Sequence, residues 1–246
     1  MIRRARSLEW LGGGVLGLHR PALGLLVVPL LLGAAARPSE APAASAAGTS
    51  IVAQAAGSQV AVFRTPTAKR PFRVFRNPLA DGSPVVFLVR QRVPGWEQVR
   101  LPVRPNGSVG WVRTRSVSLA LDPYRVTVSL GSHRITVWKS GRAIVRGPTA
   151  VGRPALPTPT GVYYIVELLR QANPRGAYGP YAFGLSAYSR VLYSFGGGPG
   201  QIGLHGTNEP ALLGTSVSHG CIRVANALIV RLARILPLGT PVEIGR

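Results

Sequence analysis

Apolar and polar positions alternate along most of this chain in short runs, and two stretches break the alternation. Between Gln59 and Ala120 the runs "QVAVFR", "FRVFR", "PVVFLVR", "WEQVRLPV" and "VGWVRTRSV" are β-branched and aromatic, and Gly/Pro/Asn clusters separate them. That pattern predicts a compact all-β module, with the segment "GWEQVRLPVRPNGSVGWV" pairing two Trp-containing strands around an Asn-Gly turn. From Tyr124 the stretch "YRVTVSLGSHRITVWKSGRAIVRGPTAVG" reads as strand, turn, strand, turn, strand, with "LGSH" and "KSGR" as tight connections. "TPTGVYYIVELL" is a further strand. "RQANPRGAYGPYAFGLSAYS", rich in Gly, Pro and Tyr, is too irregular for one and is expected to form a flap over a site. "VLYSFGGG" and "QIGLHG" restore strand character, and "ALIVRLARILPLGTPVEIG" supplies one helix and a last strand. In that helix Leu228, Ile229, Leu232, Ile235 and Leu236 recur at helical spacing as a core stripe, with Asn226 as an N-cap candidate.

The first break in alternation is N-terminal. Arg3, Arg4 and Arg6 precede an apolar run from Ala22 to Ala36 that ends in small residues, the layout of a secretory signal. The run is short of the ~20 residues a membrane-spanning helix needs, and Pro29 interrupts it. A cleaved signal is the favoured reading; a retained anchor lengthened by "LEWLGGGVLGL" is the alternative. Either places the rest of the chain outside the cytoplasm, in the periplasm or on the cell-wall side of the membrane. Residues 37–58, small and Pro-containing, read as a flexible linker. The expected division is 1–36 signal or anchor, 37–58 linker, 59–120 β module and 121–246 a second, larger domain.

Composition adds an anionic partner. The 246 residues carry 29 Lys+Arg against 8 Asp+Glu, a formal charge of +21, and Lys69 and Lys139 are the only lysines. The cationic surface is therefore guanidinium, which matches carboxylate and phosphate through paired donors. Finger spacing, basic heptads and RNA-binding aromatic signatures are missing, so nucleic acid is not the expected partner; an anionic wall polymer or membrane surface attracts the same charge.

The second break carries the chemistry. "LHGTNEPALLGTSVSHGCIRV", Leu204 to Val224, holds two histidines and the single cysteine. Cys221 has three readings: buried hydrophobe, metal ligand or nucleophile. The first needs neither the histidine nor the glycine beside it. The spacings His205, His219 and Cys221 match no familiar zinc pattern, and no second cysteine completes a set. A nucleophile needs its proton removed, since a thiol of pKa ~8.5 is mostly protonated at neutral pH. His205 closes the apolar strand "QIGL", where a backbone carbonyl can accept its second N–H, and is the better base. His219, two positions before the cysteine, has its ring carried away from the thiol. Gly220 lets the N–H groups of His219, Gly220 and Cys221 converge on an oxyanion.

"PTPTG", "GAYGPYAFGLSAYS", "GGGPGQIGLHGTNEPALLG" and "VSHGCIRVAN" together resemble the bacterial L,D-transpeptidase catalytic domain of the YkuD type, through most of Tyr124 to Ile244. The resemblance implies a mainly β fold, a β-sandwich with one C-terminal helix, acting on peptidoglycan stem peptides without metal or organic cofactor. It puts the catalytic cysteine on Cys221, the proton-transferring histidine on His205 and the backbone donors on His219 and Gly220. Thr207, Asn208, Ser218 and Arg223 fall on cleft-lining positions, and Arg223 can pair with a stem carboxylate. The 59–120 module resembles a small bacterial Src-homology-3-like barrel. The gap from His205 to Ser218 is at the short end for the family, and Val224 replaces a larger aliphatic residue. The chain is expected to act as a monomer that crosslinks stems. The rival readings are a wall-binding protein without activity and a papain-like stem-trimming thiol hydrolase, in which the cysteine would precede its histidine.

Overall fold

A computed structural model of the chain describes residues 48–246. The candidate signal or anchor, 1–36, and the first part of the expected linker lie outside the described residues.

Strands β1 (Ser50–Ala55), β2 (Gln59–Val62), β3 (Arg73–Arg76), β4 (Val86–Val93), β5 (Trp96–Arg100), β6 (Val109–Arg113) and β7 (Val117–Asp122) make the first all-β part. Five of them form an antiparallel sheet in the order β6-β5-β4-β1-β7, and β2 pairs with β3. The two tryptophans do lie on paired strands: Trp96 faces Arg113 and Trp111 faces Gln98. β1 is a correction to the linker reading. Its small residues hide it in the sequence, yet it sits between β4 and β7 with Ala53 and Ala55 buried.

The second part contains β8 (Tyr124–Ser129), β9 (Arg134–Lys139), β10 (Arg142–Pro148), β11 (Val151–Gly152), β12 (Gly161–Arg170), β13 (Tyr181–Tyr188), β14 (Gln201–His205), β15 (Ser216–Ser218), β16 (Ile222–Arg223), α1 (Asn226–Ile235) and β17 (Pro241–Gly245). Eight strands form one mixed sheet, β10-β9-β8-β17-β12-β13-β14-β16, and β11 pairs in parallel with β15. β12 joins the two halves: Gly161–Tyr164 pair with β17 and Ile165–Arg170 with β13, with a register shift between Ile165 and Glu167. Val126, Ile135 and Val137 from one half share a core with Phe183, Leu204 and Ile222 from the other, so the sheet folds back on itself around one apolar centre. Ile229 and Leu232 of α1 close that core, as the helical spacing predicts.

The flap reading is corrected here. Only residues 171–180 are a loop. Residues 181–188 are β13, a strand buried on both faces, where a Cβ on Gly184 would collide with Glu167 and Gln201. Nor is "VLYSFGGG" a strand: residues 189–200 form an irregular loop whose tip is closed by reciprocal hydrogen bonds between Phe195 and Gly198, 3.0 Å each.

The two parts share a seam. Along β12, Tyr163 and Ile165 face the second core, while Tyr164 and Val166 face Val52, Val86 and Leu88 of β1 and β4. Tyr164 is fully buried, and its hydroxyl donates to the Arg100 carbonyl at 3.1 Å. Alternation with both faces apolar is thus used to bury β1, β4 and β12 on two sides at once.

Candidate active site

β14 and β16 run parallel, with Leu204 opposite Ile222 and His205 opposite Arg223. Since side chains alternate along a strand, this register turns Leu204, Ile222 and Val224 into the core and leaves Gly203, His205, Cys221 and Arg223 on the other face. Two apolar–polar alternations, in "QIGLH" and "CIRV", therefore bring the expected base to the expected nucleophile. They meet at Gly203. A Cβ there would lie 3.7 Å from Cys221 Sγ and 3.5 Å from His205 Cδ2, and the Gly203 N–H donates to Sγ at 3.3 Å.

His205 is buried, at 4% exposure, and its Nδ1 lies 2.6 Å from the Gly206 carbonyl oxygen. A carbonyl only accepts, so Nδ1 carries the proton and Nε2 keeps its lone pair. Burial lowers the imidazole to about 4, the Arg223 charge acts in the same direction, and the Gly206 bond opposes both. Burial also raises the Cys221 thiol, against the Gly203 N–H and the Arg223 charge. Near neutral pH both groups therefore rest uncharged.

The turn before the cysteine is held by hydroxyls. Ser218, buried, donates from Oγ to the Cys221 carbonyl at 2.6 Å and accepts the Gly220 N–H at 3.1 Å. Thr158, from "PTPTG", donates to the Gly220 carbonyl at 2.8 Å and accepts the Gly152 N–H at 2.8 Å. Gly220 has φ +117°, which a side chain would strain. Its N–H donates to Ser218 Oγ and not into open space, contrary to the expectation that it points with those of His219 and Cys221 at an oxyanion. The His219 ring stacks on Phe195, with centroids 5.1 Å apart and planes 27° apart.

Thr207, Asn208 and Arg223 are the remaining residues expected to line a cleft. Thr207 is buried in a turn, its N–H donating to Asn226 Oδ1 at 2.8 Å and its Oγ1 accepting from Glu209 N–H at 3.0 Å. Asn208 is exposed. Arg223 pairs with Glu209 at 2.7 Å. A cavity of about 310 Å³ opens at Cys221, bordered by Gly203, Ile202, Phe195, Tyr178 and Glu167; none of Thr207, Asn208, Ser218 and Arg223 borders it.

Sequence reasoning missed three contributors. Tyr178, in the 171–180 loop, lays its ring against His205, centroids 4.7 Å apart; the tyrosine between glycines in "GAYGPY" was the available signal. Thr158 is the second. Asn226 is the third: it does not cap α1, whose N-cap is Ala225 with no side-chain cap bond, and instead ties the start of the helix to the turn after His205. The loop is seated there too. A Cβ on Gly179 would come within 2.7 Å of Gly206 Cα, and Gly179 has φ +62°.

A profile of the L,D-transpeptidase catalytic domain, YkuD, matches residues 123–244. The YkuD protein of Bacillus subtilis is 40% identical over 124 residues, half of this chain and 67% of that protein. The chain belongs to the YkuD family of L,D-transpeptidases. The YkuD protein of Bacillus licheniformis is 38% identical over 122 residues, half of this chain and 66% of that protein. Among solved structures, Bd1075 of Bdellovibrio bacteriovorus is 28% identical, with 50% of this chain and 48% of that chain covered and a TM-score of 0.40. This L,D-transpeptidase is an enzyme whose family match begins at Pro123, where the seven-strand part ends.

Proposed function

We propose that the protein is a peptidoglycan L,D-transpeptidase working through a cysteine acyl-enzyme. Cys221 Sγ attacks the amide carbonyl between the diamino-acid residue of a stem tetrapeptide and its terminal D-alanine while His205 Nε2 takes the thiol proton. The oxyanion forms against the N–H groups of His219 and Cys221, and donors of this kind are worth roughly 10²–10³ in rate. His205 returns the proton to the departing D-alanine amine, leaving a thioester. The side-chain amine of a second stem attacks it and loses a proton through His205; the C–S bond breaks and the thiol is restored. The observation that carries this reading is the meeting of Cys221 and His205 at Gly203, with Nδ1 committed to Gly206 and Nε2 kept as acceptor.

The test uses purified protein with a carbapenem and with disaccharide-tetrapeptide. Intact mass is expected to gain one drug equivalent, and Cys221→Ala to gain none. The tetrapeptide is expected to release D-alanine and give dimers joined between diamino-acid residues. Adduct without dimers favours a stem-trimming hydrolase; neither adduct nor D-alanine leaves a wall-binding role only.

Export by the N-terminal segment, an SH3-like identity for the first β part and attachment to anionic wall polymer through arginines belong to the same proposal. Sequencing the mature N-terminus from an extracytoplasmic fraction checks export, since recovery of an uncleaved cytosolic chain contradicts it. Binding to isolated wall is expected to weaken toward ~1 M salt, where the screening length is ~3 Å; salt-insensitive binding points instead to a pocket of the β part.

A further inference from the structure

The loop of residues 189–200 forms one wall of the Cys221 cavity through Phe195, Gly196 and Pro199, and Phe195 carries the His219 ring. What holds this loop comes from the other part of the protein. Arg104, in the connection between β5 and β6, donates from Nη1 to the Pro199 carbonyl at 2.7 Å and from Nη2 to those of Ser189 at 3.0 Å and Leu192 at 2.9 Å. One guanidinium therefore joins the two ends of the loop. It also lies over the rings of Tyr188 and Tyr193, 4.8 and 4.7 Å from their centroids. Asn106 adds a two-way bond to the Tyr188 backbone, donating to its carbonyl at 2.8 Å and accepting its N–H at 2.9 Å. Gly200 keeps the slot open: φ is +70°, and a Cβ would sit 3.1 Å from Arg104 Nη2 and 3.0 Å from the Leu192 carbonyl carbon.

We propose that Arg104 is a positioning residue for acyl transfer: by pinning both ends of the 189–200 loop from the β5–β6 connection, it sets Phe195, and through it the His219–Gly220 turn, against Cys221. Planarity matters here. A guanidinium donates along fixed directions to three carbonyls, which a lysine ammonium cannot reproduce. The carbonyls themselves come from an irregular loop without ladder partners for them, so the arginine supplies what a strand would have supplied.

The activity arm of the test rests on the proposed acyl transfer; the structural arm does not. In the full chain, Arg104→Ala is expected to slow carbapenem acylation of Cys221 by about 10- to 100-fold, the scale of a small displacement of a catalytic wall. Arg104→Lys recovers part of the rate, and millimolar guanidinium partly rescues Arg104→Ala. Arg113→Ala, which removes a guanidinium stacked at 4.6 Å on Trp96 of the same β part, keeps the wild-type rate. Hydrogen exchange read on the same proteins is expected to rise in amides of 189–200 while those of β12 and β13 stay protected. Wild-type rate and unchanged exchange in Arg104→Ala overturn the proposal, as does an equal loss in Arg113→Ala. Should Arg104→Ala fail to fold, Arg104→Lys carries both arms with the same criteria. If the wild-type protein takes up no drug, the proposed chemistry fails and exchange alone decides: faster exchange of the loop supports the positioning role, and unchanged exchange ends it.

Discussion

At the scale of the residue, His205 is a site group whose environment differs sharply from water. Its imidazole is held at about 4, against 6.5 in an unperturbed histidine, chiefly by burial. Between these values the unfolded chain binds a proton that the folded chain refuses, so stability is full above pH 6.5 and falls as pH drops toward 4. The contribution is roughly 3 kcal/mol. Denaturant titrations at pH 4 to 7 are expected to show this slope in the wild type and a shallower one in His205→Gln; identical slopes would remove burial of the neutral ring as its source. The same lowering keeps Nε2 available as a base over most of the acid range. The rate of Cys221 acylation is accordingly expected to hold down to pH 5, with its acid limb near 4 and not near 6.5. His205→Ala should abolish acylation, whereas His219→Ala, which removes a ring stacked on Phe195 and leaves the backbone N–H, should lose less. Equal losses with a flat pH profile would contradict both roles.

At the scale of the element, the loop of residues 171–180 is seated by the absence of a side chain. Gly179 combines φ +62° with a Cβ position blocked by Gly206 and Asn226. Gly179→Ala is expected to lift Tyr178 from His205, cutting the acylation rate by about tenfold or more while costing about 1–3 kcal/mol of stability. A variant with unchanged rate and a lower melting temperature would make Gly179 a stability residue only. What was readable in the sequence divides along the same line. Regular alternation located β8, β9, β10, β14 and β17, and helical spacing located α1, because those residues pair hydrophobic periodicity with one buried face, while β12, buried on both faces, showed itself through its run of β-branched and aromatic residues. β13 was unreadable because a strand buried on both faces loses its alternation, and its Ala, Gly and Ser look like loop composition. β1 failed for a related reason: it is buried on two sides, with Val52 in the seam and only the small Ala53 and Ala55 toward the first core. Within the candidate site, the place of His205 at the end of a strand was legible because "QIGLH" announces one, whereas the two-residue strand after Cys221 was too short to announce itself. Gly220 was legible as a turn glycine, but its N–H partner was not: Ser218 competes for it through a side-chain rotamer that no spacing encodes. Arg104 lies far from the site in sequence and could be found only once the chain was folded.

At the scale of the whole molecule, the seam governs behaviour. Val52, Val86 and Leu88 pack against Tyr164 and Val166, whose strand also carries the core of the second part. Calorimetry of the described chain is therefore expected to give one transition, and Val52→Ala to lower stability of both parts together by about 0.5–3 kcal/mol. Two separate transitions, only one of them moved by Val52→Ala, would show the halves to be independent. The close fit of Val52 to Gly239, where a Cβ would come within 3.0 Å of the valine Cβ, reaches beyond stability. It restricts how such a gene can be recombined. A crossover at position 123, where the family match begins, would deliver the enzyme half with Tyr164 and Val166 bare and without the arginine that pins its cavity wall. A viable exchange has to carry the stretch from Ser50 onward as one cassette, or bring a carrier whose own strands reproduce that apolar face.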